Sequence, residues 1–160
     1  VQQDLFHKVT IADYLFAKDK IFAVLNLNES EMALYTTVAG LVEREIPRPD
    51  LVVYLQASTD TLMKRIEKRA RAFERTIERK YIENLNEAYN QFFFHYTESA
   101  LLIINTDGID FVGCPEDLEE IVHQVTHFKP GTNYYRPMGH SGRPRITPAV
   151  DPGTLIADSD

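Results

Sequence analysis

Arg65, Arg69, Arg71 and Glu74 fall four, two and three residues apart inside KRIEKRARAFERTIERK, residues 64–80. A guanidinium group is a planar fork of N–H donors that matches phosphate oxygens two at a time, so several forks together suit a polyphosphate. The segment holds eight of the seventeen Lys and Arg against three Glu, about +5, whereas the remaining nine basic and twenty-one acidic groups sum to about −12. A run of charge is most often a solvated helix face. Here Lys64/Lys68, Arg65/Arg69, Arg71/Arg75 and Arg75/Arg79 are like-charge pairs four apart, and each costs a continuous helix about 0.2–0.5 kcal/mol. Such a helix repels itself unless an anion sits among the guanidinium groups. Arg65 and Arg69 share one helix face, and a bend near Ala70 would bring Arg71 round to join them. That is the geometry of a mobile lid closing on phosphate.

Other chemistry-bearing residues are weaker candidates. His123 and His127 stand four apart on a helical pattern, but no third ligand lies nearby, so a helix surface is the expected reading and no metal site is assigned. Cys114 has no cysteine partner and sits among Asp110, Glu116 and Asp117, which disfavours a thiolate. The nearest approach to the phosphate-cradling pattern G-x-x-x-x-G-K-[ST] is Gly108 to Gly113, which Cys114 follows in place of Lys.

The elements that must position the arginines are legible around them. Asp50 to Gln56 (DLVVYLQ) and Leu101 to Asn105 (LLIIN) are short continuous apolar runs, as expected of parallel strands covered on both faces. Helical patterns fill the intervals: Ile11 to Leu25, Ser30 to Glu45 with Leu34, Val38, Leu41 and Val42 in register, and a helix capped by Ser58 or Thr59. Ile77 to Tyr96 follows, with Tyr81, Leu85, Ala88, Tyr89, Phe92 and Phe93 inward, and Pro115 opens a last helix with acids in its first turn. Strands alternating with helices make an α/β fold with a parallel sheet, and in such sheets ligands sit beyond the strand ends. Residues 129–160 hold five of eight prolines and four of seven glycines, which reads as a flexible tail or linker.

With 160 residues, 44% of them hydrophobic, the chain is one domain of net charge −7. That balance argues against a general nucleic-acid or membrane surface. A single cysteine suits a reducing, cytoplasmic compartment. The start at Val1, without Met or a signal-type segment, leads us to expect a piece of a longer protein.

DLVVYLQASTDTLMKRIEKRARAFERTI, together with ADYLFAKDKIF, YIENLNEAYNQFFFHY and LLIINTDGIDFV in that order, resembles the deoxynucleoside kinase family, relatives of the nucleoside monophosphate kinases. The resemblance covers about residues 5–125. A family lid of the form R-x-x-x-R-x-R-x-x-E is similar to Arg65, Arg69, Arg71 and Glu74, with Ala70 standing where the family usually has Gly. It implies the C-terminal portion of a P-loop kinase-type parallel sheet covered by helices, over residues 1–128, with a lid at 65–75.

The resemblance implies transfer of the γ-phosphate of ATP to the 5′-hydroxyl of a deoxynucleoside, with Mg²⁺ ligands and the P-loop expected before Val1. Arg65, Arg69 and Arg71 would neutralise the transferring phosphoryl group, and Glu74 would accept from the deoxyribose 3′-hydroxyl. Phe16 would pack on the substrate base. Asp13, one position from the family's base-reading acid, would read the base edge, although Phe6 and His7 replace the family's upstream Glu-Arg pair. Asp107, Asp110 and Phe111 fall in a loop that would bracket the adenine of ATP. The family commonly dimerises through helices, so a homodimer is expected. The isolated 160 residues are expected to be inactive. A nucleoside monophosphate kinase, a non-catalytic kinase-like scaffold and an RNA-binding helix are the competing readings.

Overall fold

The structure is a computed structural model that describes residues 9–69 and 77–139. Its centre is a three-stranded parallel sheet in the order β1-β2-β3, formed by Leu51–Gln56, Ala100–Asn105 and Thr132–Tyr135. Leu51 pairs with Ala100 and Gln56 with Asn105, so the two long strands end together. Leu101 and Ile104 are completely buried, and burial of such a side chain contributes about 1.5–3 kcal/mol. The β2 run is therefore covered on both faces, whereas β1 corrects the expectation: it buries Val52 and Tyr54 on one face and leaves Leu55 42% exposed.

Two apolar layers flank the sheet. Val52, Tyr54, Leu101 and Ile103 meet Phe93 and Tyr96 on one face, while Leu102 and Ile104 meet Ile109 and Ile121 on the other. The first layer is closed by α4 (Arg79–Phe94). The second is closed by α5 (Pro115–Thr126), which has Pro at its start and Glu116 and Asp117 in its first turn. Between β1 and α4 runs α3 (Thr59–Arg69), entered through Ser58, whose hydroxyl accepts from the Thr61 N–H at 3.3 Å. The preceding helices are α1 (Ala17–Asn26), which packs against α4, and α2 (Glu29–Val42), followed by a single 3₁₀ turn over Glu43–Glu45.

The structure departs from the sequence reading at several element ends. The first helix begins at Ala17 rather than Ile11, and Ile11 is 92% exposed, leaving it nothing to pack on. The second begins at Glu29 because Asn28, not Ser30, supplies a capping box: the Asn28 side chain accepts from the Glu31 N–H at 3.0 Å and the Glu31 carboxylate from the Asn28 N–H at 2.9 Å. In α4 the buried residues are Ile82 and Phe93, whereas Tyr81 lies partly in solvent.

The expected tail from 129 is corrected over its first part. Thr132–Tyr135 forms β3, with Leu101 paired to Thr132 and Ile104 to Tyr135. Backbone pairing along an open β2 edge drives this, since a four-residue strand between Gly and Pro residues shows little periodicity of its own. Past β3, Gly139 adopts φ +68° against the Gly108 carbonyl, where a Cβ would collide. Residues 140–160 lie outside the described residues.

Candidate active site

The basic helix and the loop beyond β2 form one assembly. Ser58, Thr61, Arg65 and Lys68 are spaced three, four and three apart, which places them on a single face of α3. Residues 106–111 lie along that face. Arg65 donates from Nη1 to Thr106 Oγ1 at 2.9 Å, and from Nη2 to the Thr106 carbonyl at 2.6 Å and the Ile109 carbonyl at 3.2 Å. Its guanidinium carbon also lies 5.5 Å from the centre of the Phe111 ring, within cation–π range. Lys68 pairs with Asp110 at 3.4 Å in solvent, a contact of small energetic weight.

The acids of the loop are held below the usual carboxylate range. For Asp107, burial pushes upward, but the backbone N–H of Ser58 and the side chains of Thr61, Ser58 and Asn105 together outweigh it. For Asp110, the Gly113 N–H is the main cause, opposed by desolvation and helped by Lys68 and the Val112 N–H. A side chain at Gly113 would bring its Cβ to 2.8 Å from an Asp110 carboxylate oxygen, so the Asp110 side chain would have to shift. Asp110 in turn donates its backbone N–H to the carboxylate of Asp117 at 2.8 Å.

Of the residues singled out from sequence, the structure thus brings together Arg65, Asp107, Asp110 and Phe111. Arg69 ends α3 in an exposed position. Arg71, Glu74 and the anticipated bend at Ala70 lie outside the described residues. Asp13 is exposed and receives a Lys68-independent contact on its carbonyl, from Lys18 at 3.4 Å. Phe16 is half-buried at the N-cap of α1. Neither makes a hydrogen bond, ion pair or ring contact with the Arg65 assembly among the described residues.

Sequence reasoning missed Thr106 and Asp117, the two fully buried polar side chains among the described residues. Asp117 had a signal, as an acid in the first turn of a Pro-initiated helix; Thr106, one hydroxyl at a strand end, had none. The His123 and His127 rings stack at 4.3 Å, and His123 presents its carbonyl to His127 Nδ1 at 2.9 Å. Among the described residues no group of three or more His, Cys, Asp or Glu is arranged to hold a metal. No helix among them is long and apolar enough to cross a membrane.

A parallel sheet wrapped by helices, with a basic helix laid along the loop beyond a strand end, defines an α/β protein of the P-loop kinase type. Residues 2–129 match the family described as deoxynucleoside kinase, and the chain belongs to that family. It is 35% identical over 119 residues to a deoxyguanosine kinase of Bacillus subtilis (strain 168), covering 72% of this chain and 58% of that protein. It is 27% identical over 139 residues to a deoxyadenosine kinase of Lactobacillus acidophilus, covering 78% of this chain and 65% of the relative. Among solved structures, that of deoxyadenosine kinase from M. mycoides with bound dCTP aligns with a TM-score of 0.52 at 23% identity, over 69% of this chain and 58% of that one. The last likeness concerns the fold alone. The chain spans between about half and two thirds of the length of these relatives.

Proposed function

We propose that this chain supplies the lid and substrate-side elements of a deoxynucleoside kinase, which transfers the γ-phosphate of ATP to the 5′-hydroxyl of a deoxynucleoside. The observation that carries the reading is the docking of the 106–111 loop, at the C-terminal ends of β1 and β2, on the arginine-bearing face of α3. A nucleotide held by that loop lies next to the helix that delivers the guanidinium groups. The transition state of phosphoryl transfer spreads charge over three oxygens, so positioning and positive charge supply most of the catalysis.

In this reading Arg65, Arg69 and Arg71 neutralise the phosphates, with Arg65 acting from its seat on the loop. Glu74 accepts from the deoxyribose 3′-hydroxyl, Phe16 packs on the acceptor base and Asp13 reads its edge. Phe111, Asp107 and Asp110 border the adenine of ATP. Mg²⁺ completes the reading by family resemblance, with its ligands expected alongside the P-loop. The 160 residues contain no G-x-x-x-x-G-K-[ST], so alone they do not turn over ATP. A cytoplasmic homodimer belongs to the same reading.

The test is transfer from γ-labelled ATP, by the whole protein, to a panel of deoxynucleosides and of their monophosphates. Labelled 5′-monophosphate from a deoxynucleoside is expected. Labelling of monophosphates alone would replace this reading with a nucleoside monophosphate kinase.

A further inference from the structure

The loop beyond β2 is joined to α3 through a residue that solvent does not reach. Thr106 is completely buried, and each of its polar atoms is used. Its backbone N–H donates to the Gln56 carbonyl at 2.8 Å, and its hydroxyl donates to the same carbonyl at 3.0 Å. The hydroxyl oxygen accepts from Arg65 Nη1 and the carbonyl from Arg65 Nη2. A hydroxyl has one proton to give and two lone pairs to offer, so Thr106 Oγ1 is the joint through which the end of β1, the end of β2 and the guanidinium of α3 meet. Asp107 fastens the entrance of the same helix through Ser58, and Arg65 reaches forward to Ile109.

We propose that Thr106 is a positioning residue, which locks the 107–111 loop and the second half of α3 into one unit, so that loosening one loosens the other. The proposal deepens the kinase reading, because there the loop borders the base of ATP and α3 leads into the lid. A base seated on the loop then fixes the height at which the arginine helix emerges, 41 positions away in the chain. The coupling runs through a demonstrable two-partner contact rather than through proximity alone. Low dielectric at this fully buried site strengthens each of these hydrogen bonds, and makes an unmatched member costly.

The test is amide hydrogen exchange on the protein and on its Thr106→Val, Thr106→Ser and Arg65→Lys variants. Valine keeps the shape and removes the hydroxyl; serine keeps the hydroxyl; lysine keeps the charge and removes the fork. Thr106→Val and Arg65→Lys are expected to raise exchange about tenfold in both 107–111 and 62–69, with α5 and β3 unchanged and Thr106→Ser close to the parent. Leu101→Val, in the apolar layer on the opposite face, serves as the control for general loosening of the sheet, and is expected to leave exchange in those two segments close to the parent's. Exchange that rises in the loop while α3 stays protected overturns the proposal, as does a uniform rise across the sheet. If Thr106→Val does not fold, Arg65→Lys decides alone by the same criterion. The readout needs no catalysis, so loss of the kinase reading in the transfer assay and loss of the coupling in exchange are separate results.

Discussion

Asp107 accepts two hydrogen bonds from Ser58 across 49 positions of chain, one from the backbone N–H and one from the hydroxyl, each at 2.8 Å. A carboxylate at the loop thereby secures the entrance of the arginine-bearing helix. Because its folded pKa is lowered, its stabilisation is present above the unfolded carboxylate pKa of about 4 and is lost as pH falls through the folded value. Asp107→Ala should cost about 0.5–1 kcal/mol at neutral pH, solvent screening allowed for. Urea unfolding at neutral pH and below about pH 3 checks both parts: the gap between variant and parent should shrink in acid, and a gap of constant size would overturn the assignment.

Tyr54 lies under α4, stacked on Phe93 at 4.3 Å, and donates to Asn90 Oδ1 at 3.0 Å. Burial pushes its pKa up to about 12. A folded value above the unfolded one means stability fully present below about pH 10 and lost as pH rises through the folded pKa. The protein should therefore lose stability across that alkaline window. Tyr54→Phe should start about 1 kcal/mol less stable at neutral pH, for want of one hydrogen bond, and then fall less steeply. Denaturant midpoints followed through the window decide it.

Arg69→Ala, in the whole protein, should reduce kcat on the order of a hundredfold. Its unfolding free energy should stay within about 1 kcal/mol of the parent, since the residue ends α3 in an exposed position, where a charged contact carries little weight. Unchanged kcat would remove Arg69 from the site. The 160 residues alone should show no ATP-dependent phosphorylation of deoxynucleosides, and measurable turnover would reverse that expectation.

Leu34, Val38 and Leu41 are 67%, 52% and 67% exposed along one side of α2, with Val42 beside them. Four apolar side chains in water at helical spacing are what a helix-mediated homodimer would cover. Val38→Glu should convert the dimer to monomer in sedimentation velocity while leaving the far-UV spectrum in place. A parent that sediments as a monomer at all concentrations would count against the dimer.

The two long strands were readable from composition, because Val52 to Leu55 and Leu101 to Ile104 are short β-branched-rich apolar runs bounded by turn residues, although double coverage holds for β2 and not for β1, where Leu55 is 42% exposed. The single-face spacing of Ser58, Thr61, Arg65 and Lys68 was also written in the chain, but what it faces was not. The like-charge pairs point to an anion but not to the internal partners, which are the carbonyls of Thr106 and Ile109 for Arg65 and the carboxylate of Asp110 for Lys68. Contacts 41 to 44 positions apart carry no local periodicity, so neither Thr106 nor the docking of the loop could be found by pattern. β3 was hidden for the opposite reason, since its order comes from the edge it joins rather than from TNYY itself.

The distribution of aromatic rings gives the molecule a built-in optical asymmetry. The chain has no tryptophan and eight tyrosines. Tyr54, Tyr89 and Tyr96 all belong to the layer under α4, whereas the layer under α5 has Tyr135 at its rim. Near-ultraviolet dichroism and tyrosine emission will therefore report chiefly on one side of the sheet. Loosening of the α5 side would pass almost unseen by those probes and would need an isotopic or chemical label of its own.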